Sequence, residues 1–193
     1  MPLLVLDRDG VINEDSEDYI RSLADWQPIP GSLEAIATLS KAGYKIAVVT
    51  NQSGLARGYL DLDELEAIHA RLCQQVEQEG GFIAGIFYCP HLPQDGCACR
   101  KPGIGLLAAM AEELALSPRG APFIGDSLRD LQAALAYGCQ PVLVLTGKGA
   151  ATLRELQSGR ATLAGWESIP VYADLAAAAR AIVQQQPVPQ DDG

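Results

Sequence analysis

The sequence begins with Leu3-Leu4-Val5-Leu6-Asp7-Arg8-Asp9-Gly10-Val11-Ile12-Asn13, and this stretch decides the fold. A short, bounded apolar run is typical of a strand buried on both faces of a parallel sheet. Asp7 and Asp9 then lie at the carboxyl end of that strand, where open α/β sheets bind ligands. Because two carboxylates this close repel each other, the pair predicts a divalent cation such as Mg²⁺, which prefers oxygen ligands. The alternative interpretation is an acidic surface turn.

Composition narrows the class of protein. The chain has 193 residues, of which 48% are hydrophobic, and a formal net charge of -10 from 14 basic and 24 acidic residues. This charge argues against binding to nucleic acid or to an anionic membrane surface. No apolar stretch reaches the length of a membrane span. Met1 leads directly into the first strand without a signal peptide, so we expect a cytoplasmic protein and, for so small and acidic a chain, a monomer.

Apolar and amphipathic segments alternate along the rest of the chain. We expect further strands at 45–50, 82–88, 122–125, 141–145 and 170–172. We expect helices at 32–42, 61–80, 103–115, 128–137, 150–157 and 174–185, the second of them capped by Asp61 with Glu64. Alternating strands and helices predict an α/β fold with a doubly wound, mainly parallel sheet.

The spacing of the strand ends bears on domain organisation. Residues 1–186 are expected to form one domain, and the Pro- and Asp-containing tail 187–193 to be disordered. The segments between successive strand ends hold only about 40 to 50 residues, which is too few for a separate cap domain as well as the predicted elements. We therefore expect an open site, rimmed by the polar loop 14–30, by the loop 51–60 and by the loop after the third predicted strand.

The first stretch resembles the first motif of the haloacid dehalogenase-like superfamily, an apolar strand that ends in Asp-x-Asp-Gly. The resemblance implies that Asp7 is the nucleophile and that Asp9 is the general acid and base. A carboxylate nucleophile divides phosphate ester hydrolysis into two easier steps through an acyl phosphate. Its partner must exchange a proton in both steps.

Three further motifs follow in the order of this superfamily. Thr50, at the end of the second strand, resembles the hydroxyl that bonds the transferring phosphoryl group. Lys101 in Arg100-Lys101-Pro102 resembles the lysine that neutralises negative charge between nucleophile and phosphate. Asp126 in Gly125-Asp126 would complete the Mg²⁺ site with Asp7 and the backbone carbonyl of Asp9, and Asp130 suits a supporting or capping role.

A cysteine-rich loop follows the third predicted strand. Cys89, His91, Cys97 and Cys99 supply three thiolates and one imidazole, the ligand set of a closed, structural Zn²⁺ site. Cys-x-His and Cys-x-Cys are tighter than common zinc-finger spacings, so the spacing alone is moderately specific. We expect the loop to hold Arg100 and Lys101 in place. Cys73 and Cys139 are expected to be packing residues, and His69 to be a partly exposed structural residue.

This loop, with Asp7-Arg8-Asp9-Gly10 and Thr50-Asn51-Gln52-Ser53-Gly54, resembles the histidinol-phosphate and heptose-bisphosphate phosphatases over residues 3 to about 149. The loop 14–30 looks like the heptose branch, which implies removal of the 7-phosphate of D-glycero-D-manno-heptose 1,7-bisphosphate during lipopolysaccharide or glycoprotein heptose synthesis. Ser127 departs from the family, in which a lysine often follows the motif aspartate. Substrate contacts are predicted for Asp15, Ser16, Tyr19, Thr50, Asn51, Gln52, Ser53, Arg57, Arg100 and Lys101.

Two other functions remain open at this point. Histidinol phosphate carries a cationic amine, which the acidic residues Glu14, Asp15, Glu17 and Asp18 would suit. A zinc-stabilised binding module without activity is the other alternative, although an intact set of Asp7, Asp9, Lys101 and Asp126 argues against it. Arg57, Arg100 and Lys148 are the cations available for the second phosphate of a sugar bisphosphate.

Overall fold

A six-stranded parallel sheet forms the centre of the protein, as the computed structural model shows for residues 2–16 and 18–185. The strands are β1 (Leu3–Leu6), β2 (Lys45–Asn51), β3 (Ile83–Cys89), β4 (Pro122–Gly125), β5 (Gln140–Val144) and β6 (Val171–Tyr172). Their order is β3-β2-β1-β4-β5-β6, and every neighbouring pair is parallel. The predicted α/β class is confirmed. The predicted tail 187–193 and the acidic residue Glu17 lie outside the described residues.

Within residues 2–16 and 18–185, six α-helices connect or follow these strands. They are α1 (Ser32–Lys41), α2 (Leu62–Gln78), α3 (Gly105–Leu114), α4 (Leu128–Tyr137), α5 (Gly149–Gln157) and α6 (Leu175–Gln184). Single 3-10 turns occur at Leu23–Asp25, Pro93–Asp95 and Trp166–Ser168. No helix in the described residues is both long and apolar enough to cross a bilayer.

The sheet is buried on both faces, which explains its unbroken apolar strands. In β1, Leu4 and Leu6 belong to one apolar cluster, while Leu3 and Val5 belong to a second cluster. The first cluster includes the apolar stripe of α2, namely Leu65, Ile68, Leu72 and Val76. All four β1 side chains are buried, so the first strand is the centre of the hydrophobic core as well as the start of the site.

Several predicted elements differ from the structure by one or two residues at their ends, and β3 is an example. Strand β3 begins at Ile83, since Phe82 is 60% exposed, and it extends to Cys89, which pairs with Asn51 of β2. The predicted capping pair of α2 forms only in part. Asp61 accepts a hydrogen bond from the backbone N–H of Glu64, but the Glu64 carboxylate accepts one from the N–H of Leu23.

Strand β1 lies between β2 and β4. The chain forms β2 and β3 on one side of β1 and then crosses over to form β4, β5 and β6 on its other side. In open α/β sheets, ligands bind outside the carboxyl ends of the strands at such a point. The end of β1 is also tied to β4, because the N–H of Asp7 donates to the carbonyl of Ile124. The fold therefore brings the ends of β1, β2 and β4 together at one edge.

Candidate active site

The nucleophile predicted from the first motif forms an ion pair with the predicted lysine. Lys101 is 2% exposed, and its Nζ lies 2.9 Å from Oδ1 of Asp7 and 2.6 Å from Oδ1 of Asp130. The same Nζ donates to the carbonyl of Val49 at 2.8 Å. Burial opposes the ammonium charge, but Asp130 and Asp7 together raise the pKa of Lys101 above its usual value. Lys101 is therefore a fixed cation beside Asp7.

Three carboxylates meet at the end of the sheet. One oxygen from each of Asp7, Asp126 and Asp130 lies within 4.8 Å of the others. Burial, together with the charge of Asp130, raises the pKa of Asp7 to about 7. Burial and the charge of Asp7 raise the pKa of Asp126 to about 8. Three buried carboxylates with one ammonium are short of positive charge, so the donor set fits a hard divalent cation such as Mg²⁺.

Asp130 has a larger part in this group than a supporting role would require. Its Oδ2 accepts hydrogen bonds from the backbone N–H and the hydroxyl of Ser127 at the start of α4, while its Oδ1 pairs with Lys101. The first turn of α4 thus holds Asp130 beside Asp7. Ser127, which stands where the family often has lysine, caps the helix through Asp130.

The position of Asp126 depends on two glycines. The Oδ2 of Asp126 accepts a hydrogen bond from the N–H of Lys148 at 2.7 Å. Gly10 and Gly147 both have positive φ, of 81° and 54°, and a Cβ added to either would collide with the Asp126 carboxylate. The glycine of the first motif therefore has a physical reason, since a side chain at Gly10 would displace a carboxylate of the candidate metal centre.

Asp9 lies in surroundings unlike those of Asp7. Its Oδ1 accepts from Arg8 Nε at 3.0 Å and from Asn13 Nδ2 at 2.9 Å, and its Oδ2 accepts from Arg8 Nη2 at 3.1 Å and from Gln52 Nε2 at 2.8 Å. Burial would raise the pKa of Asp9, but the Arg8 charge and these donors hold it below its usual value. Arg8 was not singled out in the sequence, although its position between two aspartates is a visible signal.

The second-motif residues have distinct positions. Thr50 is buried at the end of β2, and its hydroxyl accepts a hydrogen bond from Gln52 Nε2 at 2.9 Å. Asn51 bonds the backbone of Lys101 twice, since its Nδ2 donates to the carbonyl and its Oδ1 accepts from the N–H. The nitrogen and the oxygen of the Asn51 side-chain amide thus both hold the Lys101 segment against β2. Ser53 is buried and also faces the site.

A cavity of about 490 Å³ opens above these groups. Its lining includes all ten predicted substrate-contact residues, Asp15, Ser16, Tyr19, Thr50, Asn51, Gln52, Ser53, Arg57, Arg100 and Lys101. Residues from the three predicted rim loops contribute to this lining, as expected. Asp15 is 2.9 Å from Lys148 Nζ, so this carboxylate already has a cationic partner. Tyr19 packs against Tyr59 with ring centroids 5.1 Å apart.

Three arginines line the same cavity and form no ion pair within residues 2–16 and 18–185: Arg57, Arg100 and Arg129. Burial and the charge of Arg129 hold the pKa of Arg100 below its usual value. Arg129, on the first turn of α4, was not among the predicted contacts. Its signal in the sequence was its place three residues after Asp126.

The cysteine-rich loop brings its four predicted ligands together. Sγ of Cys99 is 3.1 Å from Sγ of Cys89, 3.4 Å from Sγ of Cys97 and 3.2 Å from Nδ1 of His91. Such a cluster of three sulfurs and one imidazole nitrogen is compatible with tetrahedral Zn²⁺. Arg100 donates to the carbonyl of His91, so the loop also supports a cation of the cavity.

The other sulfur and imidazole groups have the expected surroundings. Cys139 is buried in the second apolar cluster, and burial raises the pKa of its thiol to about 11. Cys73 packs, half-buried, against the first cluster. His69 is half-buried on α2, as predicted, but its Nε2 lies 3.2 Å from Nη1 of Arg8, behind the site.

Comparisons with known proteins agree with this geometry. A family model described as polynucleotide kinase 3 phosphatase matches residues 3–131, and a HAD-hydrolase-like model matches residues 98–165. The chain is 54% identical over 183 residues to the D-glycero-beta-D-manno-heptose-1,7-bisphosphate 7-phosphatase of Pseudomonas putida, covering 95% of this chain and 100% of the relative. The enzyme of the same name from Pseudomonas aeruginosa is 55% identical, covering 94% and 98%.

A solved structure has the same fold over nearly the whole chain. The D,D-heptose 1,7-bisphosphate phosphatase of Bordetella bronchiseptica, complexed with magnesium and phosphate, superposes with a TM-score of 0.89. It is 46% identical and covers 96% of this chain and 100% of its own. The corresponding Burkholderia thailandensis structure has a TM-score of 0.71 at 39% identity, covering 96% and 100%.

Proposed function

Because the chain belongs to the haloacid dehalogenase-like phosphatases, in the family of the heptose bisphosphate 7-phosphatases, we propose that it hydrolyses the 7-phosphate of D-glycero-D-manno-heptose 1,7-bisphosphate. The single observation that carries this proposal is the joint position of two features at one cavity. The Asp7–Lys101–Asp130 constellation lies at its base, and cations without carboxylate partners among the described residues lie at its rim. The first suits attack on one phosphate, and the second suits binding of another.

Asp7 attacks phosphorus with a carboxylate oxygen, and the bond between phosphorus and the sugar oxygen breaks. Asp9, which is a carboxylate in the free protein, takes up a proton from solvent as the substrate binds and donates it to that departing oxygen. This step leaves the sugar as an alcohol and Asp7 as an acyl phosphate. Asp9, now a carboxylate, takes a proton from water as the water attacks the acyl phosphate. Inorganic phosphate leaves and Asp7 is restored. The side chains of both residues line the cavity, which supports these roles.

Charge around Asp7 has to be balanced before an anionic phosphate can approach. Lys101, held by Asp130 and the Val49 carbonyl, supplies one fixed positive charge. Mg²⁺ would be held by Asp7, Asp126 and the Asp9 carbonyl, with Asp130 beside them, and when bound it supplies charge that keeps Asp7 ionised and stabilises the phosphoryl oxygens. The Thr50 hydroxyl, buried at the end of β2, contributes a donor to the same oxygens.

The remote phosphate of the sugar is held by Arg100 and Arg129, with Arg57 lining the same cavity. Arginine suits this role, since its planar fork binds phosphate oxygens in pairs. Asp15 pairs with Lys148, and this pairing leaves the rim less suited to a cationic amine than its acidic composition indicated. We therefore favour the sugar bisphosphate over histidinol phosphate, and we take the β-anomer from the names of the relatives.

The remaining properties of the protein follow from the same interpretation. Zn²⁺ bound by Cys89, His91, Cys97 and Cys99 is structural, because four protein ligands leave no position for substrate. Residues 1–186 act as one phosphatase domain, which works in the cytoplasm as a monomer. These assignments accompany the proposed function and can be tested by metal analysis, localisation and sedimentation.

The deciding experiment measures phosphate release with Mg²⁺ from both anomers of heptose 1,7-bisphosphate, from heptose 7-phosphate and from histidinol phosphate. We expect the highest kcat/KM with the β-bisphosphate. Preference for histidinol phosphate would contradict the proposed substrate, and no release from any of them would contradict the proposed reaction. The 7-monophosphate is the most informative comparison, since it lacks only the remote phosphate.

The two arginines are tested by the variants Arg100→Gln and Arg129→Gln, with Arg119→Gln as the control. Arg119 packs over Tyr137 and does not line the active-site cavity. A charge-assisted hydrogen bond contributes about 1.5–3 kcal/mol, so each variant should lose about tenfold or more in kcat/KM for the bisphosphate. Activity on the 7-monophosphate should change little. Equal losses on both substrates would assign these arginines to another role.

A further inference from the structure

Among the residues that the structure describes, the most deeply buried cation lies behind the site and takes no part in the steps above. Arg8 has 0% exposure, and it follows the end of β1, between the two motif aspartates. Its Nε lies 3.0 Å from Oδ1 of Asp9, and its Nη2 lies 2.9 Å from Oδ1 and 3.1 Å from Oδ2. A guanidinium in this paired arrangement restricts rotation of the carboxylate as well as neutralising it.

The third nitrogen of this guanidinium contacts a side chain from another element. Nη1 of Arg8 lies 3.2 Å from Nε2 of His69 on α2. Burial and the charge of Arg8 lower the pKa of His69 to about 3, so the imidazole is neutral at neutral pH. Since Arg8 can only donate, Nε2 accepts and the imidazole proton is on Nδ1. Tyr88 of β3 packs against the ring, with centroids 5.8 Å apart.

An aromatic ring from the rim loop also faces the guanidinium. The guanidinium carbon of Arg8, Cζ, lies 6.0 Å from the ring centroid of Trp26. The indole N–H of Trp26 donates a hydrogen bond to Gln75 of α2 at 2.8 Å. Helix α2 therefore supports Arg8 both directly, through His69, and through Trp26. Because a buried donor that loses its acceptor destabilises the protein, His69 constrains where the guanidinium lies.

From this chain of contacts we infer that His69 and Arg8 are positioning residues for Asp9: His69 holds the guanidinium, and the guanidinium holds the Asp9 carboxylate in the orientation for proton transfer. Gln52 and Asn13 complete the set of donors to Asp9 from two other segments. The inference rests on the proposed reaction and extends it to a residue of α2 that lines no part of the substrate cavity.

The test compares His69→Leu, which has no acceptor, with His69→Gln, which places an amide oxygen near the same position. His69→Phe is a second variant without an acceptor, and it keeps a ring against Tyr88. Cys73→Ala is the matched control, since Cys73 is half-buried one turn further along α2 and forms no hydrogen bond to Arg8 in the described structure. Thermal unfolding of each variant reports whether helix packing has changed.

Kinetics with heptose 1,7-bisphosphate and with p-nitrophenyl phosphate give the readout. A small misplacement of a catalytic group can cost up to about 100-fold, so we expect His69→Leu and His69→Phe to lose about tenfold or more in kcat for the sugar, with KM unchanged. His69→Gln should recover most of this loss. The loss in kcat/KM should be smaller for p-nitrophenyl phosphate, since nitrophenolate leaves with little help from an acid.

Two results overturn the inference while leaving the proposed function in place. In the first result, the wild type is active and His69→Gln is as impaired as His69→Leu, or neither variant is impaired. The other is an equal loss on both substrates that Cys73→Ala shares, which would indicate general destabilisation of α2. A wild-type protein that releases phosphate from neither substrate refutes the proposed function, and the inference falls with it.

Discussion

Two aspartates separated by one residue have opposite surroundings in this protein. Asp7 faces Asp126 and Asp130, and burial together with Asp130 raises its pKa to about 7. Asp9 faces the hydrogen-bond donors of Arg8, Asn13 and Gln52, which hold its pKa below the usual value against the effect of burial. Because Asp7 and Asp9 meet different neighbours, one short motif supplies two carboxyl groups with different chemistry.

Replacing the proposed nucleophile separates activity from folding. Asp7→Asn should abolish phosphate release, because an amide cannot form the acyl phosphate. The free energy of unfolding of the metal-free protein should stay the same or rise, since one of three mutually repelling carboxylates is removed. Glu112→Gln, at an exposed position of α3, is the control for the same change in charge. Measurable turnover by Asp7→Asn would exclude Asp7 as nucleophile.

The depressed pKa of His69 predicts a specific acid sensitivity. The folded protein binds its proton with a pKa of about 3, whereas the unfolded chain binds it at about 6.5. Between these values the unfolded state holds more protons, so His69 contributes stability that is present above about pH 6.5 and is lost as the pH falls toward 3.

The contribution is at most about 1.4 kcal/mol per pH unit in that window. It is measured as the difference in the free energy of unfolding between wild type and His69→Gln, followed by urea denaturation from pH 7 to pH 4. As the pH falls, the wild type should lose stability relative to His69→Gln. A difference that is independent of pH would show that His69 titrates normally in the folded protein.

At the scale of elements, the cysteine-rich loop connects β3 to α3 and carries two cations to the site. The N–H groups of Gly103 and Gly105 donate to the carbonyls of Arg100 and Ala98, so the loop turns back on itself before α3 begins. A Cβ on either glycine would collide with these carbonyls. The start of α3 at Gly105, two residues later than predicted, follows from this tight return.

Removing one zinc ligand should loosen this loop. Cys99→Ser is expected to lower both the bound zinc and the melting temperature, because metal binding and loop folding are coupled. Activity should fall with them, since Arg100 and Lys101 follow the loop directly. Cys73→Ser is the control, because Cys73 is remote from the cluster. Full zinc content in Cys99→Ser would remove this residue from the ligand set.

At the scale of the whole molecule, the site is assembled from strand ends that the sheet order places side by side. β1 contributes Asp7, β2 contributes Thr50, and the end of β4 contributes Asp126. Asp7 and Asp126 are buried next to the apolar core, so their like charges oppose the fold that holds them. A divalent cation bound to the folded protein alone therefore stabilises the whole molecule.

We expect Mg²⁺ to raise the melting temperature of the metal-free protein. At a concentration about 100 times the dissociation constant, the gain is about 2.7 kcal/mol. Asp126→Asn should lose most of this gain, while Glu112→Gln should keep it. The measurement is thermal unfolding over a Mg²⁺ titration. Equal stabilisation of wild type and Asp126→Asn would place the cation at another site.

Much of this protein was determined by its sequence alone. The bounds of β1, β4 and α4, the buried stripe of α2 and the clustering of the four residues of the cysteine-rich loop matched expectation. These features are local, because apolar periodicity, a glycine after a strand or four ligands in one loop constrain nearby residues directly. The order of the motifs then identified the family without reference to distant contacts.

Only the tertiary structure decided which side chains meet behind and between these motifs. Asn51 pairs with the backbone of Lys101, Lys148 with Asp15, and Arg8 with His69. Each pair joins segments that are distant in sequence, and the sheet order and the packing of α2 bring them together. Local propensity contains no information on such pairs, because hydrogen bonds between distant groups depend on the three-dimensional path of the whole chain.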